Sequence, residues 1–548
     1  MLHGFVPWPD EFVRRYRNKG YWEGYSLPAV FGKLAATYPD RLAITEGSRR
    51  ATHGEIWESS GALAVHLARR GLKKHDRVVF QLPNGIDFFI CFLALTRIGA
   101  IPVMALPPHR ETEIRHFVTS SEAVALFIPA VIKDFDYRLM ANAVRAEAPS
   151  LAQVFVVGEA LAGQRSVEDL LAHPVDPDEL AKLDGRALDP GDVVLMLLSG
   201  GTTALPKLIA RTHNDYVYNF KQSARVAGFN ADTVFLAVLP MAHNYTLGSP
   251  GFLGALALGG RVVVPPKADG ETVFGLVQKE RVTAIAAAVP LVVLWLNDPA
   301  LSRFDTSSLT VVQNGGARLS PELRSRLRQR LACQFQEVYG TAEGLLNMTR
   351  LDDPDDLILA SSGAPICDDD EIRILDANDR DLPDGEAGEL VVRGPYTIRG
   401  YYNAPEINAK AFTADGFYRM GDVVKKFGRT LVTEGRKKDL INRGGEKIST
   451  DEVENFVLKH PAVKGVAVVA MADEVFGEKA CAFVTLKSGQ SLSFEELKAF
   501  LLEQKIAKFK LPERLEILDE FPVSPAGKIL RRDLRDMADA RVAADKKT

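Results

Sequence analysis

The sequence predicts an α/β protein with a large N-terminal domain of layered parallel sheets and helices, including a small β-rich subdomain, and a small α+β C-terminal domain. Three observations support this. Apolar, β-branched runs alternate with segments of helical period through the first four hundred residues. After about residue 360 the runs shorten and turn residues separate them. A charged stretch containing glycine then precedes a compact tail.

The alternation of strands and helices is clearest from residue 77 to residue 313. Residues 77–83 read as a buried strand, residues 86–98 as a helix and residues 99–105 as the next strand. The same strand pattern recurs at residues 193–198, 234–239, 261–265, 284–288 and 309–313. Strands separated by helices indicate parallel sheets, and ligands of such folds bind at the carboxyl ends of the strands.

The later part of the chain predicts two smaller units. Turn signals such as Leu382-Pro-Asp-Gly indicate a β-rich unit at about residues 360–435. The stretch Glu434-Gly-Arg-Lys-Lys-Asp separates it from the tail. We therefore expect one domain over residues 1–435 and a second over residues 436–548. The tail's predicted helices are 450–459 and 493–504, and its predicted strands are 466–470 and 480–486.

Composition places the chain among ordinary globular proteins. Apolar residues make up 46% and charged residues 25% of its 548 residues, which excludes disorder, collagen and coiled coil. Lys+Arg 67 against Asp+Glu 71 gives a net charge of −4, so no nucleic-acid partner is expected. The most apolar stretch, residues 282–296, is too short to span a bilayer, and no signal peptide is evident. Four scattered cysteines fit a reducing compartment, so we expect a cytoplasmic protein without membrane contact.

A loop rich in glycine and threonine carries the strongest chemical signal. It reads Leu198-Ser-Gly-Gly-Thr-Thr-Ala-Leu-Pro-Lys207 and directly follows the apolar run at 193–198. Backbone N–H groups and hydroxyls at a strand end can approach phosphate oxygens closely, and Lys207 adds a compact positive charge. The spacing matches neither a Walker A motif nor a dinucleotide fingerprint. Taken alone, such a loop is more often a flexible surface segment.

Six motifs in order resemble those of the adenylate-forming superfamily, and the resemblance covers essentially the whole chain. The loop beginning at Ser199 resembles that family's phosphate loop, although Ala204 and Leu208 stand where the family usually has glycine. The other five are Met241-Ala-His-Asn-Tyr, Val338-Tyr-Gly-Thr-Ala-Glu343, Tyr418-Arg-Met-Gly-Asp422, Gly435-Arg-Lys-Lys-Asp-Leu-Ile-Asn-Arg-Gly-Gly-Glu-Lys447 and Pro525-Ala-Gly-Lys-Ile-Leu-Arg.

The resemblance implies an ATP site and a metal site. Thr341 would contact the α-phosphate, Asp422 would hold the ribose hydroxyls, and Tyr339 would stack near adenine. Glu343 and Thr203 would hold Mg²⁺, a hard cation that prefers oxygen ligands. The full ATP-binding set implied is Ser199, Gly200, Gly201, Thr202, Thr203, Lys207, Gly315, Gly316, Ala317, Glu337, Val338, Tyr339, Gly340, Thr341, Asp422, Arg436 and Lys528.

The resemblance also implies a two-step reaction without a protein nucleophile. Lys528 would bridge the substrate carboxylate and the α-phosphate, with His243 and Thr341 as further catalytic residues. Lys438 would be the hinge of a mobile C-terminal domain. Rotation there would present a second face, formed by Gly444, Gly445 and Lys447, to a pantetheine thiol that attacks the acyl-adenylate.

The segment His243-Asn-Tyr-Thr-Leu-Gly-Ser-Pro-Gly251 resembles the aryl-acid branch of the superfamily, which serves siderophore pathways. The acid pocket it implies comprises Asn244, Tyr245, Ser249, Gly315, Val338 and Leu346. The branch includes ligases for 2,3-dihydroxybenzoate and for salicylate. Ser249 favours 2,3-dihydroxybenzoate, because a buried hydroxyl that meets no 3-hydroxyl would cost about 1–3 kcal/mol.

The expected partner is a phosphopantetheinylated aryl carrier protein acting in trans, since no Gly-x-Asp-Ser attachment site follows Lys528. Lys505, Lys508 and Lys510 could meet an acidic carrier, although such runs are mostly solvated. Three alternatives stay open at this point: a salicylate ligase, an aryl- or acyl-CoA ligase that uses free CoA, and an adenylate-binding protein without activity. The sequence allows a monomer or a homodimer.

Overall fold

The structure is a computed structural model. It describes residues 2–199, 206–436, 439–443, 446–473, 476–504, 506, 508–524 and 527–545, with the backbone alone at 436, 442, 446, 447, 509 and 545. No helix in this described part of the chain is both long enough and apolar enough to cross a membrane.

The chain up to residue 198 alternates helices and strands. Its elements are α1 (Asp10–Asn18), α2 (Leu27–Thr37), β1 (Leu42–Glu46), β2 (Arg49–Thr52), α3 (His53–Arg69), β3 (Arg77–Phe80), α4 (Ile86–Arg97), β4 (Ile101–Met104), α5 (Glu111–Ser121), β5 (Ala125–Pro129), β6 (Val131–Ile132), β7 (Phe135–Asp136), α6 (Tyr137–Glu147), β8 (Gln153–Val157), β9 (Arg165–Ser166), α7 (Val167–Leu171), α8 (Pro177–Asp184) and β10 (Val193–Leu198).

The alternation continues to residue 365. The elements of this part are β11 (Leu208–Thr212), α9 (His213–Val226), β12 (Val234–Leu236), α10 (Asn244–Gly248), α11 (Gly251–Ala257), β13 (Arg261–Val264), α12 (Gly270–Glu280), β14 (Ala284–Ala287), α13 (Val289–Leu296), β15 (Val311–Gly315), α14 (Pro321–Leu331), β16 (Gln334–Thr341), β17 (Gly344–Met348), α15 (Asp355–Ala360) and β18 (Ala364–Pro365).

The last part of the chain is richer in antiparallel strands. Its elements are β19 (Glu371–Leu375), β20 (Ala387–Arg393), α16 (Pro405–Ala411), β21 (Tyr418–Phe427), β22 (Thr430–Arg436), β23 (Ile441–Arg443), β24 (Glu446–Ile448), α17 (Thr450–Val457), β25 (Val463–Asp473), β26 (Gly477–Leu486), α18 (Phe494–Glu503), β27 (Arg514–Ile517) and α19 (Arg531–Asp545).

Two large sheets built mainly from parallel strands form the body of the protein. One has nine strands in the order β18-β17-β16-β15-β14-β12-β13-β1-β2. The other has seven, in the order β11-β10-β4-β3-β5-β8-β9. Antiparallel pairs occur at the edges, including β16 with β17 and β10 with β11. The predicted α/β class with layered parallel sheets is therefore confirmed.

Two antiparallel-rich sheets and a two-stranded sheet of β6 and β7 complete the fold. Strands β19 to β22 form a four-stranded sheet in sequence order, within the predicted β-rich region. A five-stranded sheet joins β24, β23, β26 and β25, with β27 parallel to β26. Helices α17 and α19 pack on β25 of that sheet. The boundary at residues 435 and 436 stays a prediction, and the predicted hinge residue Lys438 lies outside the described residues.

One predicted strand is displaced by two residues. The sequence places a strand at 309–313, whereas β15 runs from Val311 to Gly315. The Leu309 amide donates to the Thr306 carbonyl in a turn, so the strand begins later. Its parallel partner β14 pairs as far as Asn314, and β16 extends the pairing to Gly315. The displacement matters because it carries the strand to the edge where the predicted ligand-binding glycines lie.

Four histidines, His53, His109, His213 and His243, are buried or half-buried, and burial lowers the pKa of each to about 4. In three of them the ring Nδ1 also accepts a backbone N–H; for His213 the donor is Leu27, at 3.0 Å. Protonation would remove that acceptor as well as bury a charge. These rings are therefore neutral in the folded protein near pH 7.

We expect the free energy of unfolding to fall as the pH drops from about 6.5 towards 4. The unfolded histidines bind protons in this window while the folded ones do not, at about 1.4 kcal/mol per pH unit for each group. His213→Asn keeps an oxygen that can accept the Leu27 N–H, so urea unfolding across this window should show a shallower slope. The exposed His3→Asn variant is the control, and equal slopes for all three proteins would contradict the assignment.

Candidate active site

The ends of the predicted phosphate loop are fixed by a short hairpin. The Ser199 amide donates to the Lys207 carbonyl at 3.0 Å, and the Lys207 amide donates to Ser199 Oγ at 2.9 Å. Leu208 is a buried strand residue that pairs with Leu198, which suits leucine at this position. The tip of the loop lies outside the described residues, including the predicted Gly200, Gly201, Thr202 and Thr203, together with Ala204.

Lys207 is linked to the predicted metal ligand through an aromatic ring. Its ammonium lies 4.4 Å from the centre of the Tyr401 ring, a cation–π contact. The Tyr401 hydroxyl donates to Glu343 Oε1 at 2.7 Å. Glu343 itself is buried. A cation and a carboxylate therefore flank one ring beside the loop, and sequence reasoning did not identify Tyr401.

The predicted nucleotide-binding residues of β16 and β21 lie together. The Tyr339 hydroxyl donates to the Asp422 carboxylate at 2.6 Å, and Asp422 is buried. Arg436 pairs with Asp422 across β21 and β22, although only its backbone is described. Thr341 Oγ1 donates to the Gly344 carbonyl at 2.9 Å, which fixes the end of β16. The structure thus brings the predicted adenine and ribose contacts to one place.

Glu337 has a different environment from its predicted neighbours. Its carboxylate forms a buried ion pair with Arg324 at 3.1 Å and accepts from the Asn314 amide at 3.2 Å. Burial raises the pKa of Glu337, which the charge of Arg324 opposes. Because the side chain is engaged inside the protein, any contact of Glu337 with ATP would come from its backbone. Asn314 also donates to the Ala317 carbonyl at 2.7 Å and so shapes the predicted adenine-binding turn.

The predicted acid-binding residues around α10 form one chain of hydrogen bonds. The Tyr216 hydroxyl donates to Asn244 Oδ1 at 2.9 Å, and Asn244 Nδ2 donates to Ser249 Oγ at 3.2 Å. Tyr216 and Ser249 are fully buried, while Asn244 is half-buried. His243 caps the helix, with its Nδ1 accepting the Tyr245 amide. These bonds fix the rotamer of Asn244.

Two glycines allow the pocket walls to pack closely. A Cβ atom added to Gly315 would lie 2.7 Å from the Tyr245 ring, so only glycine admits the ring there. Val338 is buried and pairs with Gly315 across β15 and β16. On the other side of β16, Gly340 faces Leu346, whose side chain would lie 2.8 Å from an added Cβ. The predicted walls of the acid pocket are therefore adjacent in the structure.

Lys528 lies at this same edge although it is far away in sequence. A Cβ atom added to Gly316 would lie 3.4 Å from Lys528 Cε. The Lys528 amide donates to Ser524 Oγ at 3.2 Å, and the Ser524 amide donates back to the Lys528 carbonyl at 2.7 Å. Burial, together with the charge of Lys528, lowers the pKa of His243 to about 4. The structure thus brings Lys528, His243 and the Gly316 turn together.

Other predicted residues are only partly described. Lys438, Gly444 and Gly445 lie outside the described residues, and only the backbone of Lys447 is described. Of the three lysines predicted to meet a carrier, Lys505 lies outside as well. The Lys510 ammonium binds both oxygens of Glu452, at 2.7 and 2.8 Å, and Lys508 is exposed.

Arg211 is an important residue that sequence reasoning missed. It is fully buried and forms an ion pair with Asp215 at 2.6 Å. The same guanidinium donates to the carbonyls of Ala342, at 2.9 Å, and Tyr396, at 3.1 Å. The only local signal is the capping pattern of Thr212 and Asp215 at the start of α9. The two carbonyl contacts carry no signal in the sequence.

The donors at the predicted metal site suit a hard cation. Glu343 offers carboxylate oxygen, the ligand that Mg²⁺ prefers, and its Oε1 is oriented by the Tyr401 hydroxyl. Thr203, the other predicted ligand, would add a hydroxyl oxygen but lies outside the described residues. The described part of the site therefore fits Mg²⁺ held jointly with phosphate oxygens.

Comparison with known sequences gives two family matches. The pattern described as AMP-binding enzyme matches residues 31–402, and the pattern described as AMP-binding enzyme C-terminal domain matches residues 452–528.

Comparison with individual proteins gives similarity over nearly the whole chain. The 2,3-dihydroxybenzoate-AMP ligase of Bacillus subtilis is 45% identical over 545 residues, covering 99% of each chain. A protein of Streptomyces sp named salicylyl-CoA synthase / salicylate adenylyltransferase is 45% identical, covering 97% of each. Among solved structures, apo MbtA of Mycobacterium smegmatis is similar with a TM-score of 0.75 and 38% identity, covering 97% of this chain and 98% of that one.

Proposed function

The chain belongs to the AMP-binding enzyme family, and from this premise we propose that it is a 2,3-dihydroxybenzoate–AMP ligase of siderophore biosynthesis. ATP and the aryl acid give the aryl-adenylate and pyrophosphate. The aryl group then passes to the phosphopantetheine thiol of a carrier protein acting in trans. The observation that carries the proposal is the buried Tyr216–Asn244–Ser249 chain, which ends in a hydroxyl at the acid pocket.

The first step is an in-line displacement at the α-phosphorus of ATP. A carboxylate oxygen of the acid forms a bond to phosphorus, and the bond from phosphorus to pyrophosphate breaks. Lys528 stabilises the negative charge that builds on the reacting oxygens, from its position beside Gly316. The Nδ1 of neutral His243 accepts the Tyr245 amide, so its Nε2 carries a proton that can be donated to the same oxygens.

The nucleotide is held by residues that do not take part in bond making. Asp422 accepts from the ribose hydroxyls and is itself oriented by the Tyr339 hydroxyl. Lys207 binds phosphate oxygens by its charge, and the Thr341 hydroxyl binds them once it releases the Gly344 carbonyl. Glu343 and Thr203 would hold Mg²⁺, which when bound neutralises phosphate charge. Positioning and charge stabilisation then carry the catalysis.

The acid specificity rests on two hydroxyl-binding groups. The half-buried amide of Asn244 can bind the 2-hydroxyl or the carboxylate of the ring. Ser249 Oγ accepts a hydrogen bond from Asn244, and its own O–H can donate to the 3-hydroxyl of the acid. Salicylate lacks the 3-hydroxyl, so the Ser249 O–H would have no hydrogen-bond acceptor on that acid. A salicylate ligase is the second candidate, because the Streptomyces relative of that name is equally similar in sequence.

The second step requires a different face of the C-terminal region, and we propose that residues 436–548 move about Lys438. Two apolar clusters support a separate unit, because their members all lie between Ile441 and Val542. Rotation would replace Lys528 by the face bearing Gly444, Gly445 and Lys447. The carrier's thiol then attacks the acyl carbon, the bond from that carbon to the phosphate oxygen breaks, and AMP leaves.

The proposed function is tested by ATP–pyrophosphate exchange with 2,3-dihydroxybenzoate, salicylate and benzoate in parallel. We expect 2,3-dihydroxybenzoate to have the highest kcat/KM, by at least about tenfold over salicylate. A higher value for salicylate would favour the second candidate, and no exchange with any of the three would refute aryl-acid activation. Thioester formation with a holo-carrier and with free CoA separates the carrier-dependent enzyme from a CoA ligase.

We expect Ser249→Cys to shift the preference towards salicylate by about tenfold, because the thiol is a weaker partner for a 3-hydroxyl. The measurement is the ratio of the two kcat/KM values. Ser121→Cys is the matched control, since Ser121 is equally buried but bonds the Phe117 carbonyl on α5. An unchanged ratio in Ser249→Cys would remove this residue from the specificity argument.

We expect Lys528→Ala to lower the rate of adenylate formation by about 100-fold or more, because the charge on the reacting oxygens loses its stabilisation. Thioester formation from preformed aryl-adenylate should be retained, since that step uses the other face. The control is the exposed Lys498→Ala on α18, which should leave both steps unchanged. Equal loss of both steps in Lys528→Ala would contradict the assigned role.

A further inference from the structure

Tyr396 is a fully buried tyrosine that neither the sequence motifs nor the reaction uses. Its hydroxyl accepts the Leu346 amide N–H at 3.1 Å and donates to Oδ2 of the Asp370 carboxyl group at 2.6 Å. The hydroxyl has a single hydrogen, so the short bond to Asp370 engages it. The Leu346 carbonyl, 3.5 Å away, receives no proton from it. Tyr396 therefore connects a buried carboxyl to the backbone of a wall residue of the acid pocket.

Asp370 is a buried carboxyl whose main contact is this phenol. It also accepts the Cys367 amide at 3.3 Å, and among the described residues its Oδ1 has no hydrogen-bond partner. A Cβ atom at Gly394 would lie 2.1 Å from that oxygen, so glycine makes the room for it. Burial raises the pKa of Asp370 to about 8. Burying such a group costs folding free energy, which points to a purpose other than stability.

The rest of the 396–398 segment is fastened along β17. The Tyr396 carbonyl accepts from Arg211 at 3.1 Å, and the Ile398 amide donates to the Glu343 carbonyl at 2.8 Å. A Cβ atom at Gly344 would lie 2.4 Å from Thr397 Cα, so no space separates the two segments. These contacts fix the backbone on which Tyr396 stands, and its hydroxyl therefore has a defined position beside the Leu346 amide.

We propose that Tyr396 and Asp370 are positioning residues that fix Leu346 against the aryl ring and thereby set the affinity for the acid. Without the phenol oxygen, the buried Leu346 N–H would lack an acceptor, and β17 would shift to find one. Leu346 would then move relative to the opposite wall formed by Tyr245. The nucleotide half is fixed separately, by the bond between Tyr339 and Asp422, so the effect should be confined to the acid.

The first test is Tyr396→Phe, assayed by pyrophosphate exchange with 2,3-dihydroxybenzoate. We expect the KM for the acid to rise about tenfold while kcat and the KM for ATP stay within about twofold. Tyr137→Phe is the matched control, a buried phenol on α6 that donates to the Pro107 carbonyl, and its acid KM should be unchanged. An unchanged acid KM in Tyr396→Phe, or equal rises for acid and ATP, would overturn the proposal.

Asp370 provides a second test that does not depend on the folding of Tyr396→Phe. Asp370→Asn keeps an oxygen that accepts a hydrogen bond from the Tyr396 hydroxyl. Its KM for the acid should therefore stay within about threefold of the wild-type value. Asp370→Leu removes the acceptor and should raise the acid KM about tenfold. Equal acid KM values for the two variants would exclude Asp370, and a larger rise in the asparagine variant would contradict the mechanism.

A double-mutant cycle shows whether the effect passes through Leu346. In a Leu346→Ala background the wall is already lost, so Tyr396→Phe should raise the acid KM much less than it does alone. Additive effects would mean that Tyr396 acts by another route. The inference rests on the proposed function: no exchange with any aryl acid would refute that function, whereas normal exchange with an unaltered acid KM in Tyr396→Phe would refute the inference alone.

Discussion

The buried ion pair of Arg211 and Asp215 is the interaction on which the site depends. Arg211 stands on β11, the strand that follows the phosphate loop, and Asp215 lies in the first turn of α9. The guanidinium reaches two further segments through the carbonyls of Ala342 and Tyr396. Asp215 accepts two more bonds from Thr212, which begins the helix. Losing one partner would leave an uncompensated buried charge, at a cost of about 3–5 kcal/mol. One ion pair thus sets the relative positions of four chain segments.

From that centre the two halves of the site are stabilised by different means. On the acid side, α9 supplies Tyr216, which orients Asn244, and the Tyr396 segment supports Leu346. On the nucleotide side, the bond between Tyr339 and Asp422 connects β16 with the four-stranded sheet. Strand β16 belongs to both halves, because Gly340 faces Leu346 while its neighbour Tyr339 contacts Asp422. The two halves therefore share one strand, while separate side-chain contacts fix the acid wall and the nucleotide residues.

Sequence reasoning predicted the fold class, most strands and the order of the motifs, because these depend on local periodicity and on short spacings. Strand β10 lies where the apolar run 193–198 places it. The same reasoning missed Arg211, Tyr396 and Asp370. Their contacts join residues far apart in the chain, and no spacing rule connects Arg211 with the carbonyl of Tyr396. Glu337 shows the converse: its motif suggests the nucleotide, yet its side chain meets Arg324, which lies on α14.

The position of Lys528 indicates how the C-terminal region can serve two steps. Its sheet has apolar clusters of its own, so its separation from the large sheets need not open a common core. A cleft of about 330 Å³ between the two regions is lined mainly by polar groups, among them Arg318, Glu434, Asp451 and Glu452. Across it, the Ser449 hydroxyl donates to the Glu434 carbonyl at 2.5 Å. Water can replace polar contacts of this kind at small cost. The rotation proposed above would therefore exchange polar partners at this cleft for water and would leave the apolar clusters covered.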